Sequence, residues 1–234
     1  MCRQCDVTRF TRRGLFSLGL AATAAAAMPG PTWAQSAPSP VSPDEAIRRL
    51  EEGNVRYAAN TSTNKDFSAG RMARSSAQYP FASIVSCADS RVSPELAFDQ
   101  GPGDLFVVRV AGNFLNEDGL ASLEYGAVVL GSRLIMVLGH SDCGAVNSTI
   151  KAMSEGITLP GHLPSLVNAI RPAVEAAQAK KAADLLREAT AENVRRAVAY
   201  LQTAKPLISD LVSAGKLKVV GAVYNIDSGT VTTV

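Results

Sequence analysis

Histidine is scarce in this 234-residue chain: there are two, alongside four cysteines. Cys2 and Cys5 fall in the first few residues, which leaves Cys87, Cys143, His140 and His162 as the soft metal ligands open to a folded body. Any metal chemistry has to come from that short list. Aromatics make up only 6%, so alanine and valine supply much of the apolar mass. A basic surplus is missing too. Arg3, Arg9, Arg12 and Arg13 against Asp6 hold more than the whole net charge of +2, so the rest of the chain is close to neutral. A near-neutral body lacks the electrostatic footprint expected of a nucleic-acid partner. After Ala34 no apolar run reads as a membrane span, which takes about 20 apolar residues, and no internal repeat is visible. What remains, 47% hydrophobic and 19% charged, is the composition of a globular protein. The length suits one domain of ordinary size with extensions.

The N-terminus reads as an address. Arg12 and Arg13 precede Gly14-Leu15-Phe16 and an alanine-rich apolar run to Met28, broken by Pro29 and Pro31. Thr32-Trp33-Ala34 places small residues at −3 and −1 of a cleavage site after Ala34. Paired arginines before a modestly hydrophobic run resemble a twin-arginine signal, with a Sec signal or an uncleaved anchor as the alternatives. The expectation is a signal peptide over 1–34, a Ser/Pro-rich linker over 35–43 and a catalytic domain over 44–234, exported to the periplasm or beyond. The twin-arginine route carries folded proteins. A metal–thiolate site assembled before export would reach an oxidising compartment with its sulfurs protected.

Along the mature chain, Ala46, Ile47, Leu50 and Val55 recur at helical spacing over 44–58. Ser42 or Asp44 is a candidate cap, and the helix is expected to lie across something, such as a partner subunit. Residues 60–77 read as a loop with a short helix. Four mostly continuous apolar runs, 81–86, 105–110, 134–138 and 217–224, predict strands covered on both faces, as in a parallel sheet. A helical face spans 119–130. The stretch 163–214 reads as helix interrupted at Pro172 and Pro206 and stopped by Gly215. The tail over 225–231 reads as a turn into an edge strand. Strands alternating with helices predict an α/β fold: a central, mainly parallel sheet flanked by helices.

Two segments carry chemistry. The first strand runs into Cys87-Ala88-Asp89-Ser90-Arg91, and the third into Gly139-His140-Ser141-Asp142-Cys143-Gly144. Ligand sites in open α/β sheets gather beyond the carboxyl ends of the strands, so the fold class itself brings these segments near each other. Two sulfurs and one imidazole suit zinc and leave a fourth tetrahedral position open, the pattern of catalytic zinc sites. Zinc lowers the pKa of a coordinated water from about 16 towards 7. Two thiolates donate more charge than histidines would and weaken that effect, so a group that holds and aims the water is needed. Asp89 can do this, or can close the site by binding the metal itself. A charge-assisted, bidentate pair with Arg91 would hold it in the first role. A purely structural Asp89–Arg91 ion pair is the alternative.

C-x-D-S-R followed by G-H-S-x-C-G, with a valine-rich strand and Ala111-Gly112-Asn113 between, resembles the β-class carbonic anhydrases over nearly all of the chain from Asp44 onward. The resemblance implies one Zn2+ per chain on Cys87, His140 and Cys143, with Asp89 and Arg91 as the catalytic dyad. It implies reversible hydration of carbon dioxide to bicarbonate in a homodimer or dimer of dimers. Gln78 in Q-x-P, Phe106 before A-G-N and Tyr125 in L-E-Y match positions that line the carbon dioxide pocket in the family, partly from the adjoining subunit. Backbone near Gly144 would bind substrate oxygens. These matches point to the subgroup whose zinc is open at rest. Val110 departs from the asparagine that many members carry there, and Ala88 and Asp142 fall at variable positions. Other readings are a carbon disulfide or carbonyl sulfide hydrolase on the same scaffold, and a non-catalytic protein holding a structural zinc or a Cys87–Cys143 disulfide. Phe106 and Tyr125 can also be read as plain core aromatics, His162 as an exposed helix-entry residue or a proton shuttle, and Lys180-Lys181 as a solvated helix face.

Overall fold

A computed structural model describes residues 41–68 and 70–234. The twin-arginine-like segment, the expected cleavage site and most of the linker lie outside these residues. The chain begins with α1 (Pro43–Ala58), capped by Ser42, whose hydroxyl accepts the Glu45 N–H, with Pro43 in the first turn. The other helices are α2 (Arg71–Arg74), α3 (Pro94–Ala97), α4 (Glu117–Glu124), α5 (Gly144–Glu155), α6 (Leu163–Ala179), α7 (Leu185–Thr203) and α8 (Leu207–Ser213). A π-helical turn, Tyr125–Val129, continues α4.

The strands are β1 (Ala82–Ser86), β2 (Leu105–Arg109), β3 (Leu134–His140), β4 (Lys218–Tyr224) and β5 (Val231–Thr233). They form one sheet in the order β2-β1-β3-β4-β5, parallel except for the β4–β5 pair. This is the α/β architecture expected. β1 and β3 are central and buried along their whole length, which is why both read as unbroken apolar runs. Alternate residues serve opposite faces. Ile84, Leu134, Met136 and Leu138 pack with Leu50 of α1 and Phe98, whereas Val85, Ile135 and Val137 pack with Leu123, Val194, Leu201 and Ile208.

One expectation needs correction and two gain detail. The apolar face of α1 is used within the chain: Ala46 and Leu50 are fully buried against the sheet, and only Val55 points away. Gly53 lets the helix come this close, since a Cβ there would stand 1.8 Å from the carbonyl oxygen of Phe98. Asn54 fastens the contact by donating to Ala97 O and Gly229 O and accepting from the Val231 N–H. Pro172 does not interrupt the helix; it lies inside α6, where burial of Val167, Ile170, Val174 and Ala177 outweighs the backbone bond it removes. The chain breaks later, at 180–184. Lys180 and Lys181 are exposed, as expected, and the turn between α6 and α7 also brings Lys180 to Glu188 and Glu192. His162 is the exposed residue at the entry to α6. Among the described residues no helix is long and apolar enough to cross a membrane.

Candidate metal centre

The parallel register brings the two chemical segments together. Ser86 pairs with Leu138, so Cys87, just past β1, stands beside the end of β3, where His140 is the last residue. Cys143 follows one tight turn later as the cap of α5, a turn made by Asp142 in the left-handed region at φ 54°. The ligand atoms of Cys87, His140 and Cys143 all lie within 4.8 Å of one another, and all three residues are buried. Both cysteines are free thiols, so the disulfide alternative is not seen.

The donor set fits a soft divalent cation. Nδ1 of His140 lies 2.8 Å from Ser141 O. A carbonyl oxygen can only accept, so the ring proton sits on Nδ1 and Nε2 keeps its lone pair. Nε2 is buried without a hydrogen-bond partner and belongs to the cluster of ligand atoms. An orphaned acceptor of this kind is costly unless something binds it. The sulfurs make the same case. The Cys87 thiol is pushed down, chiefly by a hydrogen bond from the Cys143 thiol, against burial and with help from the Gly112 N–H. Cys143 moves up, because that bond keeps the proton on its sulfur and burial adds to the effect. A cation bound by both sulfurs would displace their protons and hold both as thiolates. One imidazole, two thiolates and an open side match zinc rather than a hard, oxygen-seeking metal.

Asp89 and Arg91 complete the centre. Arg91 grips the carboxylate with Nε on Oδ1 at 2.9 Å and a terminal N–H on Oδ2 at 2.8 Å, and its backbone N–H adds a bond to Oδ1 at 3.0 Å. The same guanidinium reaches Asp142 O at 3.3 Å, which ties the two ligand segments together. Oδ1 accepts two hydrogen bonds and Oδ2 only one. The oxygen with spare capacity is thus Oδ2, which stands 3.8 Å from Nε2 of His140. The side-chain bonds from Arg91 hold this carboxyl well below the usual carboxylate range, against the cost of burial. Gly144 opens α5 beside the cluster, with no atom within 4 Å of where a Cβ would stand.

The remaining pocket candidates lie elsewhere on the chain. Phe106 pairs with Ser83, four residues before Cys87, so it sits about 13 Å back along the strand direction. Tyr125 packs beside it, ring centroids 6.2 Å apart, at the outer edge of the sheet, and stays 47% exposed. Neither is a plain core aromatic. Gln78 is exposed on the segment before β1. One chain does not gather these three around its own ligand cluster.

Sequence reasoning missed two supports. The Gly112 N–H bonds Cys87 Sγ at 3.2 Å, and Asn193 of α7 holds the next peptide by donating to Gly112 O at 2.8 Å. Ala111-Gly112-Asn113 was visible as a motif, and a glycine at φ 80° is its physical content. Asn193 gave no local signal.

Comparison with known proteins agrees with this geometry. The sequence profile described as carbonic anhydrase matches residues 82–231. Carbonic anhydrase 2 of Mycobacterium tuberculosis is 38% identical over 191 residues, covering 80% of this chain and 90% of that protein. The solved β-carbonic anhydrase CcaA superposes with a TM-score of 0.62 at 32% identity, covering 80% of this chain and 94% of its own. Tetrameric β-carbonic anhydrase from the ascomycete Sordaria macrospora shares the fold, with a TM-score of 0.64 at 20% identity, over 80% of this chain and 96% of that one. Ligand cluster, dyad, sheet order and these likenesses converge, and the chain belongs to the β-class carbonic anhydrase family.

Proposed function

We propose that this chain is a zinc-dependent carbonic anhydrase that interconverts carbon dioxide and bicarbonate. The observation that carries the reading is the unpartnered Nε2 of His140, facing two thiols and flanked by a carboxylate with one open lone pair. Cys87, His140 and Cys143 hold one Zn2+ per chain. The metal supplies Lewis acidity that lowers the pKa of a coordinated water. Asp89 accepts a hydrogen bond from the attacking water through Oδ2 and so aims its lone pair at the substrate carbon. Arg91 keeps the carboxylate charged, oriented and away from the metal. Backbone at Gly144, which opens α5 beside the cluster, receives the oxygens that gain negative charge as bicarbonate forms.

The rest of the pocket comes from a second subunit. Gln78, Phe106 and Tyr125 stand apart from the ligand cluster of their own chain, and the half-exposed Phe106–Tyr125 pair at the sheet edge is available to a neighbour. This supports a homodimer or a dimer of dimers, with an open site at rest. Residues 1–34 act as a twin-arginine export signal, 35–43 as linker and the remainder as the catalytic domain, so the enzyme works in the periplasm or outside the cell. The support for this is the Arg12-Arg13 pair, the short alanine-rich run and Thr32-Trp33-Ala34.

Stopped-flow carbon dioxide hydration with zinc analysis on the same sample tests the activity. One zinc per chain with fast turnover is expected. One zinc without turnover on carbon dioxide would overturn it and favour carbon disulfide or carbonyl sulfide.

A further inference from the structure

The loop that carries Cys87, Asp89 and Arg91 is gripped from behind by a residue that none of the chemistry above uses. Arg109 ends β2, in register with Ser86. Its guanidinium donates to three main-chain carbonyl oxygens: Nε to Cys87 O at 3.0 Å, and one terminal nitrogen to Asp89 O and to Val92 O, both at 2.7 Å. Among the described residues these are its hydrogen bonds, and none goes to a carboxylate. A planar guanidinium can serve several acceptors at once, which an ammonium cannot do at these positions.

Other hydrogen bonds to the loop's main chain are few. The Ala88 N–H reaches Val110 O at 3.2 Å and the Val92 N–H reaches Asp89 O at 3.1 Å. Cys87 O has one further contact, the Ser86 hydroxyl at 3.5 Å. Arg109 thus fastens the first residue of the loop, its middle and its last. Asp89 is held twice by arginine, at its carbonyl by Arg109 and at its carboxylate by Arg91. We infer that Arg109 is a positioning residue of the metal centre: by clamping the main chain from Cys87 to Val92 it sets where the Cys87 sulfur and the Asp89 carboxylate stand relative to His140. The catalytic consequence rests on the function proposed above; the clamp itself does not.

Groups that orient metal ligands or their partners typically matter by about 10–100-fold, because displacement of a reacting group by about 1 Å is enough. The zinc-loaded full chain is compared with its R109Q and R109K variants by zinc content, kcat and KM measured separately, and amide hydrogen exchange. R109Q is expected to keep close to one zinc and lose about 10–100-fold in kcat, with KM changing less. Exchange at the Arg91 and Val92 amides should speed up at least about tenfold, while Ile135–Leu138 of β3 stays protected. R109K should fall between the two. Wild-type kcat with wild-type exchange in the loop would overturn the inference. So would loss of protection across β3 together with the loop, since Arg109 would then support the whole sheet. If R109Q does not fold, R109K decides by the same selective loss of loop protection. If the wild type fails to hydrate carbon dioxide, the proposed function fails, and the exchange comparison still judges the clamp.

Discussion

Two aspartates ten residues apart show how the same side chain becomes structural in one place and chemical in another. Asp99 follows α3 in the left-handed region at φ 48° and is buried. Its carboxylate is saturated: Oδ2 accepts from Arg56 Nε at 2.6 Å, Thr63 N at 3.0 Å and Thr63 Oγ1 at 2.9 Å, and Oδ1 accepts from Asn64 N at 2.9 Å, shares the Thr63 N–H at 3.1 Å and is met by Asn64 Nδ2 at 3.5 Å. Nothing is left over, and the result is a clasp that fixes the 60–64 turn to the body. Asp89 is also held by an arginine, but one lone pair of Oδ2 stays open beside a metal ligand. Both carboxyls sit well below the usual range. Burial opposes the shift of Asp99 most strongly, and the Thr63, Arg56 and Asn64 donors overcome it. A low pKa therefore does not mark the functional group; unspent hydrogen-bonding capacity facing the ligand cluster does.

The comparison breaks most visibly if the ligand cluster is dispensable. Cys143→Ser should leave zinc well below one per chain and lower hydration on the order of a thousandfold, because a neutral hydroxyl does not replace a thiolate. Metal analysis and stopped-flow on one sample read both effects. Asp99→Asn should do the reverse, costing about 2–3 kcal/mol of stability by urea unfolding through lost charge-assisted bonds. Its kcat per bound zinc should stay within about twofold of wild type. A large loss of kcat there would erase the distinction.

The pH dependence of stability sharpens the contrast. The folded pKa of Asp99 is depressed, so its contribution is present above the unfolded value of about 3.9 and is lost as pH falls through the folded value. Wild type should lose more stability than D99N between pH 6 and pH 3, measured by urea midpoints. An identical loss in both would remove Asp99 as a source of acid sensitivity. A smaller effect is expected at Gly112, where φ is 80° and a Cβ would meet Ile170 Cδ1 at 2.5 Å. Gly112→Ala should cost about 1–3 kcal/mol and weaken zinc retention under chelator, because its N–H supports Cys87 Sγ.

Much of this was legible from residue order. Buried parallel strands must read as continuous apolar runs, and the rule for strand ends placed Cys87 near His140 and Cys143 before any coordinates. The misreadings have physical sources. Pro172 looked like a breaker because local propensity cannot weigh the tertiary burial of α6. The helical face over 119–130 took in the turn at Tyr125 but not its π-helical winding, and α5 after Cys143 went unread. Arg109 and Asn193 act on main-chain atoms, which leave no trace in a motif. Gln78, Phe106 and Tyr125 matched the family by position, but their separation from the ligand cluster follows from strand register and only three dimensions display it.

The central claim is that the open lone pair of Asp89 beside the ligand cluster carries the chemistry, and Asp89→Asn tests it most directly. With zinc confirmed at one per chain, kcat for carbon dioxide hydration should fall by about 100-fold or more, since the amide is neutral and grips Arg91 poorly. Hydration at the wild-type rate with zinc fully bound would contradict the account.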